Sequence, residues 1–247
     1  MYLCTKFYTM FSEAIQKFTE KNLFDGFQLK AVFFDMDGVL FDSMRHHARA
    51  WTNAMNEIGI AFTEHEAYMN EGRTGHSTID GAFNRDHNRD ATEEEKQEIY
   101  KLKSKYFESY GESPVMPFAA ELLEKIKKEG KSIYLVTGSG QKSLLEGLQL
   151  HFPGIFQQQR MVTAFDVTQG KPHPEPYLKA LKKSGLKRSE VAVVENAPLG
   201  VESAKAAGLF VIAVNTGPLD EKVLWESGAD VVLGSMQELF EKWEGMR

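Results

Sequence analysis

From Lys30 onward, short apolar runs alternate with stretches in which apolar residues recur every three or four positions. Ala31-Val32-Phe33-Phe34 is wholly apolar and ends at Asp35, the pattern of a strand buried on both faces of a parallel sheet. Residues 132–137, 161–164, 191–195, 210–215 and 230–233 read as further strands. Helical patterns lie between most of them, at 119–129, 144–150, 175–184, 199–207, 221–227 and 236–243. Strands alternating with helices predict an α/β fold with a parallel sheet covered on both faces. Such sheets bind ligands beyond the carboxyl ends of their strands, so the residues that end strands are the ones to follow.

The rhythm breaks between Met44 and Glu112. Residues 44–58, 64–70 and 93–110 read as helices, the last two opening on Thr63-x-x-Glu66 and Thr92-x-x-Glu95, the spacing of a capping box. No strand pattern intervenes. This predicts a helical cap over residues 44–113, inserted after the first strand, with Asp42-Ser43 and Ser113-Pro114 as hinge strands running side by side. The core is then residues 30–43 together with 114–247. Ahead of it lies an extension, residues 1–29, in which Phe11, Ala14, Ile15 and Phe18 share one helical face. A short amphipathic helix docked on the core is expected there. Lys6, Glu13, Lys17, Glu20 and Lys21 interrupt the segment, which therefore lacks the apolar stretch of a secretion signal.

Charge adds one requirement. The 247 residues hold 29 Lys and Arg against 35 Asp and Glu, a formal net charge of -6. That surface does not predict nucleic-acid binding, and a phosphorylated ligand would need positive charge gathered locally, from a metal, a lysine or helix N-termini. No apolar run reaches the roughly 18 residues that span a bilayer, so no membrane association is expected. The lone Cys4 excludes an internal disulfide. A reducing, cytoplasmic setting and a monomeric chain are the expectations.

The densest local signal is Asp35-Met36-Asp37-Gly38-Val39, directly after the first strand. Spaced acids before a glycine also occur in calcium loops. Here Val39 and Leu40 fall where oxygen ligands would be needed, and no glutamate closes the loop. Val136-Thr137-Gly138-Ser139, Gly170-Lys171-Pro172 and Val194-Glu195-Asn196-Ala197 follow, each at a strand end or helix start. The four segments, in this order, resemble the motifs of the haloacid dehalogenase superfamily. The resemblance spans about residues 30 to 235, with the cap placed as in the phosphoglucomutase-like branch.

The resemblance implies a Rossmann-like core and a magnesium-dependent phosphohydrolase acting on a small phosphorylated substrate. Asp35 would be the nucleophile, forming an aspartyl-phosphate. Asp37 would be the general acid/base. Thr137, with Gly138 and Ser139 and their backbone N–H groups, would bind the phosphoryl oxygens, and Lys171 would supply positive charge to nucleophile and phosphate. Asp35, the backbone carbonyl of Asp37, Glu195 and Asn196 would form an all-oxygen site suited to Mg²⁺.

Two departures sharpen the expectation. Relatives commonly carry a second acid where this chain has Asn196, and Glu71 in the cap loop Asn70-Glu71-Gly72-Arg73-Thr74-Gly75 is the candidate to restore it, with Arg73 meeting a second phosphate. His47 and Trp51 at the cap's first helix look like the β-phosphoglucomutases, and His47 is a candidate substrate contact. Mutases usually hold a distal phosphate with an arginine after the cap-loop glycine and a lysine after the second motif, where His76-Ser77-Thr78 and Gly140 stand here. Glu195-Asn196 together with the cap loop instead resembles a branch that includes an inorganic pyrophosphatase. Pyrophosphate is thus the first expected substrate, with β-phosphoglucomutase-type isomerisation or sugar-phosphate hydrolysis as alternatives. A non-catalytic phosphate binder has no need of Asp37, and true dehalogenation uses no metal.

Overall fold

The computed structural model describes residues 2–246, with side chains from residue 10 to residue 246; the side chain of Cys4 lies outside this range. Six strands form one sheet: β1 (Ala31–Phe34), β2 (Ser132–Val136), β3 (Met161–Val162), β4 (Val191–Glu195), β5 (Phe210–Val214) and β6 (Val231–Leu233). Their spatial order is β3-β2-β1-β4-β5-β6 and every pairing is parallel. The predicted strands are all present. That at 161–164 shrinks to two residues, because Thr163 caps a short 3-10 turn through the Asp166 side chain.

Because successive strand residues face opposite ways, β1 feeds two cores. Val32 and Phe34 join one cluster with Leu122, Leu123 and Ile126 of α6 (Ala119–Lys128), Leu148 of α7 (Lys142–His151) and Leu239 of α11 (Met236–Lys242). Ala31 and Phe33 join the other with Tyr177 and Ala180 of α8 (Glu175–Ser184), Val201 and Ala204 of α9 (Pro198–Ala206) and Leu224 of α10 (Glu221–Glu226). The amino-terminal helix α1 (Tyr2–Asn22) closes the first cluster. Phe11 and Phe18 are buried, Ala14 and Ile15 are partly buried, and the Phe18 ring meets Phe210 edge-on at 5.5 Å. No helix among the described residues is long and apolar enough to cross a membrane.

Between β1 and β2 lie four helices where the sequence predicts three: α2 (Met44–Glu57), α3 (Glu64–Met69), α4 (Gly75–His87) and α5 (Glu93–Ser109). The unpredicted one, α4, contains Gly75, Gly81, Ser77 and Thr78, residues of weak helix propensity. It forms because Thr74 caps it and because Ile79, Ala82 and Phe83 bury against Ile99 and Met55 in the cap's own core. Thr92 and Glu95 make the full capping box, whereas Thr63 accepts from Glu66 N without the return bond. The two crossings into the cap do run side by side, one residue away from the predicted pair. Phe41 bridges Val115 in antiparallel sense, and Asp42 N donates to Pro114 O at 2.8 Å.

Candidate active site

The strand order turns around at β1 and β4: one edge of the sheet is reached through β2 and β3, the other through β5 and β6. Loops leaving β1 and β4 therefore diverge and open a crevice at their carboxyl ends. Asp35 stands just beyond β1, its N–H still paired to Val194 O of β4 at 3.0 Å, and Glu195 ends β4. Lys171 enters from the turn before α8. Its Nζ donates to Asp35 Oδ1 at 2.6 Å and to Glu195 Oε1 at 2.5 Å, with all three side chains buried. The Tyr177 hydroxyl donates to the same Oε1, and burial beside Glu195 holds that phenol well above its ordinary value, so it stays protonated.

Burial pushes the Asp35 carboxyl up to about 8, Lys171 opposing and Glu195 and Asp37 adding to the rise. Burial alone would lower Lys171, but Asp35 and Glu195 reverse this and hold its ammonium above the ordinary lysine value. With both acids ionised against one ammonium, negative charge would be in excess in a place of low dielectric; the raised Asp35 carboxyl reflects that cost, which a further cation would offset.

Asp37 faces the cap. Its Oδ1 accepts from Ser43 Oγ at 2.6 Å and lies 2.8 Å from His47 Nε2, while His47 Nδ1 lies 2.8 Å from Lys103 Nζ of α5. A carboxylate only accepts, so Nε2 carries the ring proton and Nδ1 is left to accept from Lys103. Burial, with Lys103 alongside, holds His47 below its ordinary value and keeps the ring neutral near pH 7. Burial pushes Asp37 up, but the nearness and hydrogen bond of His47, then the Ser43 hydroxyl, outweigh it and leave the carboxyl below its ordinary value. Lys103 is pulled down to about 7 by burial, against the attraction of Asp37, and its Nζ lies 4.8 Å from the Phe107 ring centre.

The cap is shut on the core. A Cβ on Gly138 would stand 2.1 Å from the carbonyl oxygen of Gly72, so only glycine lets the cap loop settle there. From that loop Glu71 accepts from Asn196 Nδ2 at 2.7 Å. Burial holds the Glu71 carboxyl well above its ordinary range, Asn196 opposing and the neighbouring acids adding. The cavity measures about 50 Å³, is partly open to solvent, and is lined by Asp35, Asp37, His47, Arg73, Lys103 and Thr137, among others. Gly138 and Ser139 line it too, but the Ser139 N–H, expected to face phosphate, donates to Thr137 Oγ1 at 3.0 Å. Arg73 reaches Asn70 Oδ1 at 3.0 Å and Ser77 Oγ at 3.3 Å.

Among the described residues no three His, Cys, Asp or Glu side chains form a ready metal cluster. The donors here are mixed: the carboxylates of Asp35 and Glu195 and the amide oxygen of Asn196. Asn196 Oδ1 is buried with no hydrogen-bond partner, an orphaned acceptor that a hard cation would satisfy. The residues therefore fit an oxygen-ligated divalent ion.

The structure brings together Asp35, Asp37, Thr137, Lys171, Glu195 and Asn196 from the core with His47, Glu71 and Arg73 from the cap. Sequence reasoning missed Ser43, Lys103, Tyr177 and Thr216, whose Oγ1 donates to Gly38 O at 2.6 Å beneath the first motif. Lys103 had a signal: the buried residues of α5 are Ile99, Lys103 and Phe107, a charge set on the apolar stripe at helical spacing.

The profile of the haloacid dehalogenase-like hydrolases matches residues 29–208. Hexitol phosphatase A of Escherichia coli is 34% identical, over 85% of this chain and 93% of its own length. Glycerol-1-phosphate phosphohydrolase 2 of Saccharomyces cerevisiae is 30% identical, over 86% and 84%. Among solved structures, one from Bacteroides vulgatus described provisionally as a β-phosphoglucomutase is 51% identical, covers 96% of this chain and 97% of its own, and superposes with a TM-score of 0.93. The matched span takes in the first strand, the whole helical insertion and the strand that ends on Glu195; the chain belongs to the haloacid dehalogenase-like hydrolases.

Proposed function

We propose that this protein is a magnesium-dependent phosphohydrolase that works through an aspartyl-phosphate at Asp35, with inorganic pyrophosphate as its first substrate. The observation that carries the reading is the unlike partnering of two acids in one turn. Asp35 shares Lys171 with Glu195 at the strand ends, whereas Asp37 is held by Ser43 and His47 on the cap side. A carboxylate beside fixed positive charge and a second carboxyl tied into a proton-bearing network are what a covalent route for phosphoryl transfer requires.

Asp35 attacks phosphorus in line with the leaving group, its P–O bond forming as the bridging P–O bond breaks. Asp37 is ionised in the resting site; the negative charge of bound substrate raises its carboxyl, so that it takes up a proton and gives it to the leaving oxygen. It then takes one from the water that attacks the aspartyl-phosphate, which frees phosphate and returns Asp35. Lys171 holds Asp35 and Glu195 in place and offsets their charge, and Thr137 orients the phosphoryl oxygens. Asp35, the main-chain carbonyl of Asp37, Glu195 and Asn196 would hold Mg²⁺, joined by Glu71; when bound it would offset the like charges of nucleophile and phosphate.

The small cavity supports a compact leaving group. The cavity of about 50 Å³ lies where Glu71 and Arg73 of the cap loop come down beside Asp35. The names of the relatives favour a second reading, hydrolysis of a sugar or polyol phosphate, or mutase-type isomerisation. Steady-state phosphate release with Mg²⁺ from pyrophosphate, glycerol 1-phosphate and hexitol phosphates separates these. The proposal expects the highest kcat/KM for pyrophosphate. Equal or lower activity on it removes the substrate assignment, and conversion of β-glucose 1-phosphate in the presence of a bisphosphate primer would identify a mutase.

A further inference from the structure

Glu195 is a carboxylate with divided duties. Its Oε1 takes two donors, Lys171 Nζ at 2.5 Å and the Tyr177 hydroxyl at 2.5 Å, while among the described residues its Oε2 takes only the neighbouring Asn196 N–H at 3.2 Å. The carboxyl group fills the space left by Gly200, where a Cβ would stand 2.2 Å from its carbon and from both oxygens. Tyr177 is buried on α8, with Lys171 Nζ 5.4 Å from its ring centre. The hydroxyl thus bonds Glu195 and the ring faces Lys171 Nζ; like both of them, Tyr177 does not line the cavity in which Asp35, Asp37 and Thr137 meet.

We propose that Tyr177 is a positioning residue for the cation: by donating to Glu195 Oε1 it keeps that oxygen on the Lys171 side and leaves Oε2 to the metal. The inference rests on the magnesium reading above and adds to it a role for a residue outside the cavity. A neutral donor suits the task. A second ammonium at this place would compete with the cation for the carboxylate, whereas a hydroxyl fixes orientation without adding charge. Without it, Lys171 alone holds Oε1. The carboxylate is then free to turn and give Lys171 either oxygen, and the metal must pay for restoring the orientation. Tyr177→Phe removes the O–H and keeps the ring that packs against Ala180 and Val193 in the second core.

The test uses the full chain and Mn²⁺ alone, an ion that prefers hard oxygen donors and is visible by electron paramagnetic resonance. Free Mn²⁺ is titrated against wild type, Tyr177→Phe, Glu195→Gln and the double variant, without substrate. Loss of an outer-shell partner weakens metal binding by about 10-fold or more, so Tyr177→Phe should raise the Mn²⁺ Kd about tenfold while the thermal midpoint moves little. With saturating Mg²⁺, kcat should recover to near the wild-type value. In the Glu195→Gln background the tyrosine substitution should add nothing. An unchanged Kd in Tyr177→Phe, or an equal further loss in the double variant, overturns the role of Tyr177 while leaving the magnesium reading intact. Wild-type protein that binds no Mn²⁺ overturns both.

Discussion

The core wall and the cap wall of the site solve opposite problems with the same residue types. On the core wall, Lys171 is held charged by two acids at hydrogen-bonding distance, and the three groups hang from the ends of adjacent parallel strands and the turn before α8. On the cap wall, Lys103 has no carboxylate within hydrogen-bonding reach among the described residues; its Nζ meets His47 and aromatic rings, and burial brings it down to about 7. One lysine is a fixed charge, the other a group whose charge is easily lost. The contrast teaches where each part of the proposed chemistry resides. The sheet holds nucleophile and cation donors rigidly, while the acid/base Asp37 depends on partners that arrive with the cap.

Substitutions on the two walls should therefore differ in kind. The largest effect is expected on the core wall: Asp35→Asn should bring phosphate release below detection with the circular dichroism spectrum and thermal midpoint unchanged. Retained turnover would move the nucleophile elsewhere. Across the cavity, Asp37→Ala should slow the rate by about 10²–10⁴, as expected for a general acid/base, with the loss in kcat rather than in KM for Mg²⁺. Glu71→Ala should raise the Mg²⁺ concentration for half-maximal rate on the order of tenfold, since a cap carboxylate beside Asn196 would no longer reach the ion. An unchanged requirement would make Glu71 a latch only.

The smallest effect separates the two lysines by pH. Lys103 ordinarily titrates at 10.5 and in the fold at about 7. Between those values the unfolded chain keeps a proton that the folded chain has released. Stability from this group therefore grows as pH climbs from about 7 toward 10.5 and is lost as pH falls back through about 7. Lys103→Met lacks this dependence. Its urea midpoint should compare most favourably with wild type near pH 7, and the difference should drift toward wild type by pH 9.5. A gap that does not change with pH would show that Lys103 is not held low.

Much of the core wall was legible because each of its residues follows an unmistakable local pattern. Asp35 and Glu195 end apolar runs, Thr137 follows another, and Lys171 sits in a Gly-Lys-Pro turn before a helix. Parallel strand order then carries them to one mouth without further information. The cap wall was harder. In α4, glycines and short polar side chains mask a helix that exists through burial of Ile79, Ala82 and Phe83. Lys103 and Tyr177 sit on helical stripes, where periodicity tells that a position is buried but not which polar atom waits for it. The meeting of Glu71 with Asn196 joins residues 125 positions apart; the loop's composition suggested it, and only the closed cap supplies the contact.

The proposed chemistry depends above all on Asp35 taking the phosphoryl group. Rapid-quench mixing of the protein and Mg²⁺ with ³²P-labelled pyrophosphate tests it directly. Transfer to Asp35 gives protein-bound, hydroxylamine-labile label that rises before free phosphate, maps to the peptide containing Asp35 and is absent from Asp35→Asn. Free phosphate forming with no bound label at any time, at a rate that Asp35→Asn matches, would contradict it.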